Sequence, residues 1–248
     1  MIPIADSVRA RSFPYVNVSI IIACIVVFMY QVALSQDVIQ GNVTELDRFI
    51  LRWGNIPACT FEALGRDQDL SATGNLRCDL QSAPLATLFT AMFMHGSWLH
   101  IFGNMLFLWI FGDNVEDAMG HGRYAIFYLL CGVLAALVHG VTDTASIVPA
   151  IGASGAIAGV MGAYIVLFPR ATVAAFFGFI LIPIPVPAWL MIGLWFVGQA
   201  FMGISSLGVD VAGGGVAYWA HIGGFVAGAA LVKLFVIGRR PVARKHPW

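Results

Sequence analysis

Charged side chains are scarce in this sequence. Lysine, arginine, aspartate and glutamate make up 10% of its 248 residues, whereas hydrophobic residue types make up 59%. A soluble globular domain has about a quarter of its residues charged. The scarcity excludes an ordinary soluble enzyme and predicts an integral membrane protein of the all-α polytopic class, built as a single membrane domain over residues 1–248.

Other features are missing as well. Positive and negative residues balance at 13 each, so no basic surface indicates a nucleic-acid partner. Long charge runs, low-complexity tracts and solenoid-like repeats are absent from the sequence. The histidines do not form a His-Glu-x-x-His pattern, which leaves a zinc metalloprotease without support. The function classes that remain are those of membrane-embedded proteins.

Six apolar stretches are long enough for spanning helices, each of which needs roughly 20 residues. They cover about 15–34, 96–112, 123–141, 151–168, 187–206 and 216–237. An outer loop of about 35–83 separates the first two. The segment 171–185 is apolar but contains Pro183 and Pro185, and prolines remove amide donors that lipid cannot replace. It is predicted to be an interfacial or re-entrant connection, with a seventh span as the alternative.

The placement of arginine and lysine orients the bundle. With the N-terminus inside, the inner segments hold most of these residues: Arg9, Arg11, Arg123, Arg170, Lys233, Arg239, Arg240, Arg244 and Lys245. The remaining four arginines fall in the outer loop. No small-residue cleavage site follows the first apolar stretch, which is therefore predicted to be retained. Both termini are predicted to be cytoplasmic, and a bacterial inner membrane is the preferred location.

This orientation places the strongly polar residues of the spans in one layer. Spans two, four and six all start at the outer face, and their first turns contain His95, His100, Asn104, Ser154 and His221. Polar residues inside a span are costly, so they mark a functional site by default. We therefore expect a polar site just below the outer surface.

Ser154 and His221 form a candidate nucleophile and base. Gly155 and Gly159 follow the serine, and Gly224 and Gly228 follow the histidine, so both helices carry small residues that permit close packing. A serine hydroxyl needs an adjacent base to become nucleophilic, and histidine is the side chain best suited to that role. Taken alone, the serine is more typical of a helix contact than of catalysis. The histidine alone is compatible with helix bonding, metal ligation or a proton path.

His100 and Asn104 lie four residues apart and share a helix face. Their imidazole and amide N–H groups, together with the backbone N–H of Ser154, are suitable donors for the oxyanion that forms during acyl transfer. The alternative is that both side chains only bond neighbouring helices. His95 either supports this site or holds the adjacent loop. No aspartate is predicted to act as the third residue of a catalytic triad, so a dyad of Ser154 and His221 is expected.

Together these motifs resemble the rhomboid family of intramembrane serine proteases, over most of the chain. The matching elements are His95, His100 and Asn104, then Gly152-Ala153-Ser154-Gly155, then Ala220-His221 with Gly224 and Gly228. The resemblance implies a six-helix bundle with Ser154 as nucleophile and His221 as general base. It also implies an oxyanion site of His100, Asn104 and Ser154, supported by His95, Gly152, Gly155, Gly224 and Gly228.

The resemblance further implies transmembrane protein substrates in the lipid bilayer, no metal and no cofactor. Gly112, Glu116 and Gly120 match a structural turn of the family. One position departs from it: relatives carry an aromatic residue four positions after the serine, where this chain has Ala158. Another group must therefore orient the imidazole.

Several assignments stay open at this stage. Gly203 to Gly215 is predicted to be a lid or a plain connection, and Trp195 and Phe196 a lateral gate or a lipid-facing pair. Cys59 and Cys78 are candidates for a disulfide if their loop is extracytoplasmic. A catalytically inactive adaptor that binds transmembrane helices is the main alternative function. A proton-coupled transporter is a third, although inverted repeats and a buried mid-membrane acid are not evident.

Overall fold

The computed structural model describes residues 2–35, 44–66, 77–177, 180–206 and 217–238. The helices, in chain order, are α1 (Tyr15–Leu34), α2 (Glu45–Trp53), α3 (Pro57–Ala63), α4 (Thr87–Thr90), α5 (Trp98–Met119), α6 (His121–Thr142), α7 (Ser154–Leu167), α8 (Ala188–Ser205) and α9 (Tyr218–Phe235). The strands are β1 (Ile2–Asp6), β2 (Thr172–Phe177) and β3 (Ile180–Pro187). Most of the glycine-rich segment predicted as a lid or a plain connection lies outside the described residues.

The six longest helices, α1 and α5 to α9, correspond to the six predicted spans, and the mostly helical, polytopic membrane fold is confirmed. By length and composition, α1, α6, α8 and α9 can each cross a membrane. The fifth candidate is α5 taken together with the helical segment Pro84–Phe93, which meets it at a bend of 82°. α7 is apolar but has only 14 residues.

The short central helix α7 is surrounded by the other helices. It contacts α9 most extensively, and it also packs against α5, α6 and α8. Every residue from Gly155 to Tyr164 is buried. At about 1.5 Å per residue, α7 rises about 21 Å and cannot cross a hydrocarbon core of about 30 Å. At least one end of α7 therefore lies within the depth of the membrane.

α7 and α9 approach each other through glycines. A Cβ atom added to Gly224 would lie 2.0 Å from the carbonyl oxygen of Gly155, and one added to Gly228 would lie 2.0 Å from that of Gly159. No side chain fits at such distances, so the helices touch backbone to backbone. The sequence pattern of paired glycines after Ser154 and His221 thus corresponds to a real contact between the two helices.

The apolar segment 171–185 forms a β-hairpin and not a seventh helical span. β1, β2 and β3 make an antiparallel sheet in that order, with Ile2 opposite Phe176 and Thr172 opposite Pro187. The prolines of the segment lie in β3, an edge strand, where a missing amide donor is tolerated. This small sheet was not predicted.

Asp6, at the end of β1, connects the sheet to the helices. Its carboxylate accepts hydrogen bonds from the Asn114 side-chain amide of α5 at 3.0 Å and from the Tyr164 hydroxyl of α7. Burial, together with the nearby Asp113, raises the pKa of Asp6 from 3.8 to about 7. The N-terminal strand is therefore anchored by a carboxyl group that titrates near neutral pH.

The turn between α5 and α6 is built on Glu116 and Gly120, as the resemblance implied. Glu116 is fully buried and accepts hydrogen bonds from the backbone N–H groups of Val16 and Asn17 at 3.0 and 2.7 Å. Its carboxylate also lies 2.5 Å from Nδ1 of His121. Gly120 has a φ of 80°, a conformation that glycine adopts without strain.

Cys59 and Cys78, which the sequence left as candidates for a disulfide, are joined by one. The bond lies in the connection between α1 and α5 and links α3 to the residues that follow it. Cys24 and Cys131 are buried free thiols within the apolar core.

Candidate active site

Ser154 is the first residue of α7, and Gly152 sets up the turn that leads into it. Gly152 has a φ of +135°, and its N–H donates to the carbonyl of Ala91 at 2.9 Å. A Cβ atom here would lie 2.9 Å from both Cε1 and Nε2 of His100 and 3.6 Å from the Ser154 hydroxyl oxygen. Glycine is thus required by conformation and by space, and the imidazole of His100 lies beside Ser154.

The connection between α1 and α5 holds this turn from one side. Asn55 and Ala150 exchange two backbone hydrogen bonds, of 3.1 and 2.7 Å. The buried side chain of Asn55 donates to the hydroxyls of Thr60 and Thr87. Sequence reasoning missed Asn55, because nothing in its local pattern indicates a partner almost a hundred residues away.

His100 lies in the first turn of α5, where one hydrogen bond holds its backbone and another holds its ring. The Ser97 hydroxyl accepts from the His100 N–H at 3.2 Å and caps the helix. The Gly96 N–H donates to Nδ1 of the ring at 3.4 Å. Because Nδ1 accepts, the neutral ring carries its proton on Nε2, the atom beside Gly152. The ring therefore directs an N–H donor toward the turn that precedes Ser154.

Asn104 lies one turn further along α5, on the same face. Its side chain is buried, and within the part of the chain that the structure describes its amide nitrogen has no hydrogen-bond partner. Buried polar groups normally have partners, so an unpaired donor requires an explanation. A donor kept free for a bound oxygen atom is one such explanation.

His95 supports His100 through its ring. The two rings pack edge to face with their centroids 5.1 Å apart. His95 is almost fully buried, and its backbone N–H donates to the side-chain oxygen of Gln31. Both its ring nitrogens lack a partner among the described residues. His95 thus lies behind His100.

His221 lies in the first turn of α9 and is 8% exposed. Its Nδ1 lies 2.6 Å from the side-chain oxygen of Gln199, which belongs to α8. The ring of Trp195, one turn earlier on α8, has its centroid 5.6 Å from that of His221 and is tilted by 36°. Sequence reasoning missed Gln199, although it is the single amide side chain in an otherwise apolar span.

The crossing of α7 and α9 brings Ser154 and His221 to neighbouring positions. Gly155 follows the serine and contacts Gly224, one turn after the histidine, and Ala220 is near Gly155 as well. The structure does not, however, join the two side chains by a hydrogen bond: within the described residues the Ser154 hydroxyl has no partner. The serine–histidine contact predicted from the sequence is therefore left open.

A cavity of about 50 Å³ lies next to Ser154. Its walls consist mostly of small and apolar residues, and its polar members are Asn55, His139 and Ser154 itself. A single water needs about 10–15 Å³ of such space, so the cavity has room for a few waters. Within the described residues, no group of three or more His, Cys, Asp or Glu side chains is placed to hold a metal ion.

Comparison with known proteins shows which family has this architecture. Residues 83–238 match the Rhomboid domain, which covers more than half of the chain and includes Ser154, His221, His100 and Asn104. The chain belongs to the rhomboid family.

Three similar proteins illustrate the relationship. Rhomboid protein 1, mitochondrial, from Saccharomyces cerevisiae is 32% identical over 140 residues, which is 55% of this chain and 38% of the yeast protein. RHOMBOID-like protein 12, mitochondrial, from Arabidopsis thaliana is 31% identical over 167 residues, or 61% and 46% of the two chains. Rhomboid-like protein 11, chloroplastic, from the same plant is 41% identical over 70 residues, or 28% and 25%.

The matched region of this chain therefore covers less than half the length of each of these relatives. Membership of the family confirms the resemblance drawn from the motifs and supports a multi-pass membrane protein. The names of the relatives refer to mitochondria and chloroplasts, so they give no support to the expected bacterial inner membrane.

Proposed function

We propose that this rhomboid is an intramembrane serine endopeptidase that cleaves single-pass transmembrane proteins near the outer leaflet. Ser154 is the nucleophile, and His221 is the general base. The observation that carries the proposal is the backbone-to-backbone crossing of α7 and α9. It brings the starts of these two helices into contact, through Gly155 on one side and Ala220 and Gly224 on the other.

The reaction begins with attack of the Ser154 hydroxyl oxygen on the scissile carbonyl, while His221 takes the hydroxyl proton. The resulting tetrahedral intermediate expels the amine, which receives that proton from the imidazolium. A water molecule then attacks the acyl-enzyme with His221 again as the base. Catalytic hydrogen bonds are often long in a free enzyme and shorten with substrate bound, so the open serine–histidine contact is compatible with this scheme.

The intermediate carries a negative oxygen, and three donors are available in this proposal to receive it. They are the imidazole N–H of His100, the unpaired amide of Asn104 and the backbone N–H of Ser154. Amides in the first turn of a helix have no partner within the helix, which leaves the last of these available. Donors that are fixed before the reaction stabilise the developing charge without reorganisation.

Hydrolysis within the membrane also needs water at the site. The cavity beside Ser154 supplies space for a few molecules, and its three polar lining residues supply hydrogen-bond partners. Because α7 is too short to cross the bilayer, its first residue can lie below the membrane surface and still border this cavity.

The test is a Ser154→Ala variant purified in detergent and assayed with a model transmembrane substrate. Loss of cleavage is expected, since no other residue replaces the attacking oxygen. Ser19→Ala is a matched control, because Ser19 is an exposed serine in α1 that only bonds the carbonyl of Tyr15. Cleavage that persists in Ser154→Ala would reject Ser154 as the nucleophile.

A catalytically inactive adaptor is the second candidate, and one observation favours it: the Ser154 and His221 side chains are not hydrogen-bonded. An adaptor binds transmembrane helices without cutting them. It predicts that the parent protein captures the model substrate in a pull-down, with the same affinity as Ser154→Ala, and yields no product over long incubation.

A further inference from the structure

We propose that Gln199 is a positioning residue for His221. Its side-chain oxygen accepts a hydrogen bond from the Nδ1–H group of the imidazole and thereby selects the tautomer that catalysis requires. This inference rests on the proposed function, because it assigns a role to the residue that contacts the general base.

The geometry supports a direct contact. The Gln199 oxygen and the His221 Nδ1 atom are 2.6 Å apart, and both side chains are at least half buried. A neutral imidazole has one donor nitrogen and one acceptor nitrogen. If Nδ1 donates to Gln199, Nε2 has a free lone pair and can take the proton of Ser154. If the amide were turned to donate to Nδ1, Nε2 would carry the proton and His221 could not act as a base.

Trp195 restricts the ring from another direction. Trp195 and Gln199 are four residues apart on α8 and share one face, and both contact His221. The chain has Ala158 at the α7 position where relatives carry an aromatic residue. α8 therefore supplies the aromatic neighbour and the hydrogen-bond acceptor that Ala158 cannot.

A neutral acceptor suits the location of the site. A carboxylate at this depth would have to leave water, which costs far more than burying an amide that keeps its hydrogen bond. The amide holds the tautomer but stabilises the imidazolium less than a carboxylate would. Gln199 thus occupies the place of the third member of a Ser-His-Asp triad with a reduced electrostatic contribution.

The direct test is the tautomer of His221, measured by NMR on protein with ¹⁵N-labelled histidine in detergent micelles. The His221 signals are assigned by their loss in His221→Ala. The parent protein is expected to carry the proton on Nδ1. A proton on Nε2 would overturn the proposal. Because this measurement needs no substrate, a protein that never cleaves but shows Nδ1–H would reject the protease while supporting the contact.

Two variants of similar size form a matched pair. Gln199→Met removes the acceptor, and Gln199→Glu keeps an oxygen at the same distance. In Gln199→Met we expect a mixture of tautomers and a kcat about tenfold lower, the typical effect of one hydrogen bond, with KM unchanged. Gln199→Glu is expected to keep the Nδ1–H tautomer at a lower melting temperature, because its carboxylate has to leave water.

The outcomes separate a positioning role from a structural one. If Gln199→Met leaves both the tautomer and kcat unchanged, or alters only KM, the proposal is wrong. If Gln199→Met fails to fold, as judged by its melting temperature, the His221 tautomers in the parent and in Gln199→Glu test the proposal instead. Active protein with the Nε2–H tautomer would reject the role of Gln199 and leave the protease intact.

Discussion

At the scale of single residues, Asn104 and His100 provide the donors of the proposed site. The Asn104 amide is buried without a partner in the described residues, and the His100 ring is held by its contacts with Gly96 and His95. A purely structural role would leave Asn104 bonded to a neighbouring helix. Its free amide instead indicates a group that pairs only when substrate is present.

Replacing Asn104 with alanine should therefore lower kcat without loss of folding. Removal of one oxyanion donor typically costs about 10²–10³ in rate. Since the amide has no partner to lose in the free protein, the melting temperature should change little. The measurement is kcat on the model substrate together with thermal unfolding in the same detergent. A large fall in melting temperature with kcat retained would assign Asn104 to structure.

At the scale of helices, the contact between α7 and α9 determines whether the site can form. Gly224 and Gly155 touch through the backbone, so even a methyl group must push the helices apart. Over-packing of this kind costs about 1–3 kcal/mol and displaces the helix backbones. Both stability and the serine–histidine spacing depend on the same glycine.

Gly224→Ala is accordingly expected to reduce both the melting temperature and the cleavage rate. The matched control is Gly198→Ala in α8, where an added Cβ meets nothing within 4 Å. The control should leave the melting temperature unchanged or raise it, because alanine is the better helix former. Equal effects of the two substitutions on stability would contradict the close contact assigned to Gly224.

The six long helices could be predicted from the sequence because length and apolar composition are local signals. The glycines after Ser154 and His221 indicated the close helix contact for the same reason. The sheet could not be predicted, since β1 pairs with a strand about 170 residues later, Ile2 opposite Phe176. Gln199 and Asn55 escaped notice because their partners lie on other elements and follow no sequence period.

At the scale of the whole molecule, Asp6 links the N-terminal strand to α5 and α7. Its folded pKa of about 7 lies above the ordinary value of 3.8, chiefly because of burial. A group with a raised folded pKa contributes stability that is complete below its unfolded pKa. That contribution is lost as the pH rises through the folded pKa. The attachment of the sheet should weaken as Asp6 ionises.

The melting temperature of the parent protein is thus expected to fall from about pH 4 to about pH 7 and to level off at higher pH. Asp6→Asn removes the titrating group while keeping side-chain atoms that can bond Tyr164 and Asn114, so its melting temperature should vary less over this range. Thermal unfolding at a series of pH values in one detergent provides the comparison. Parallel curves for the two proteins would show that Asp6 does not titrate near neutrality.

The central claim concerns two side chains, and covalent labelling of Ser154 tests it most directly. The parent and a His221→Ala variant are treated with a serine-directed fluorophosphonate, and the modified peptide is identified by mass spectrometry. The account predicts an adduct on Ser154 that forms at least about 10² times more slowly without His221. Labelling at the same rate in both proteins, or an adduct on another serine, would contradict the account.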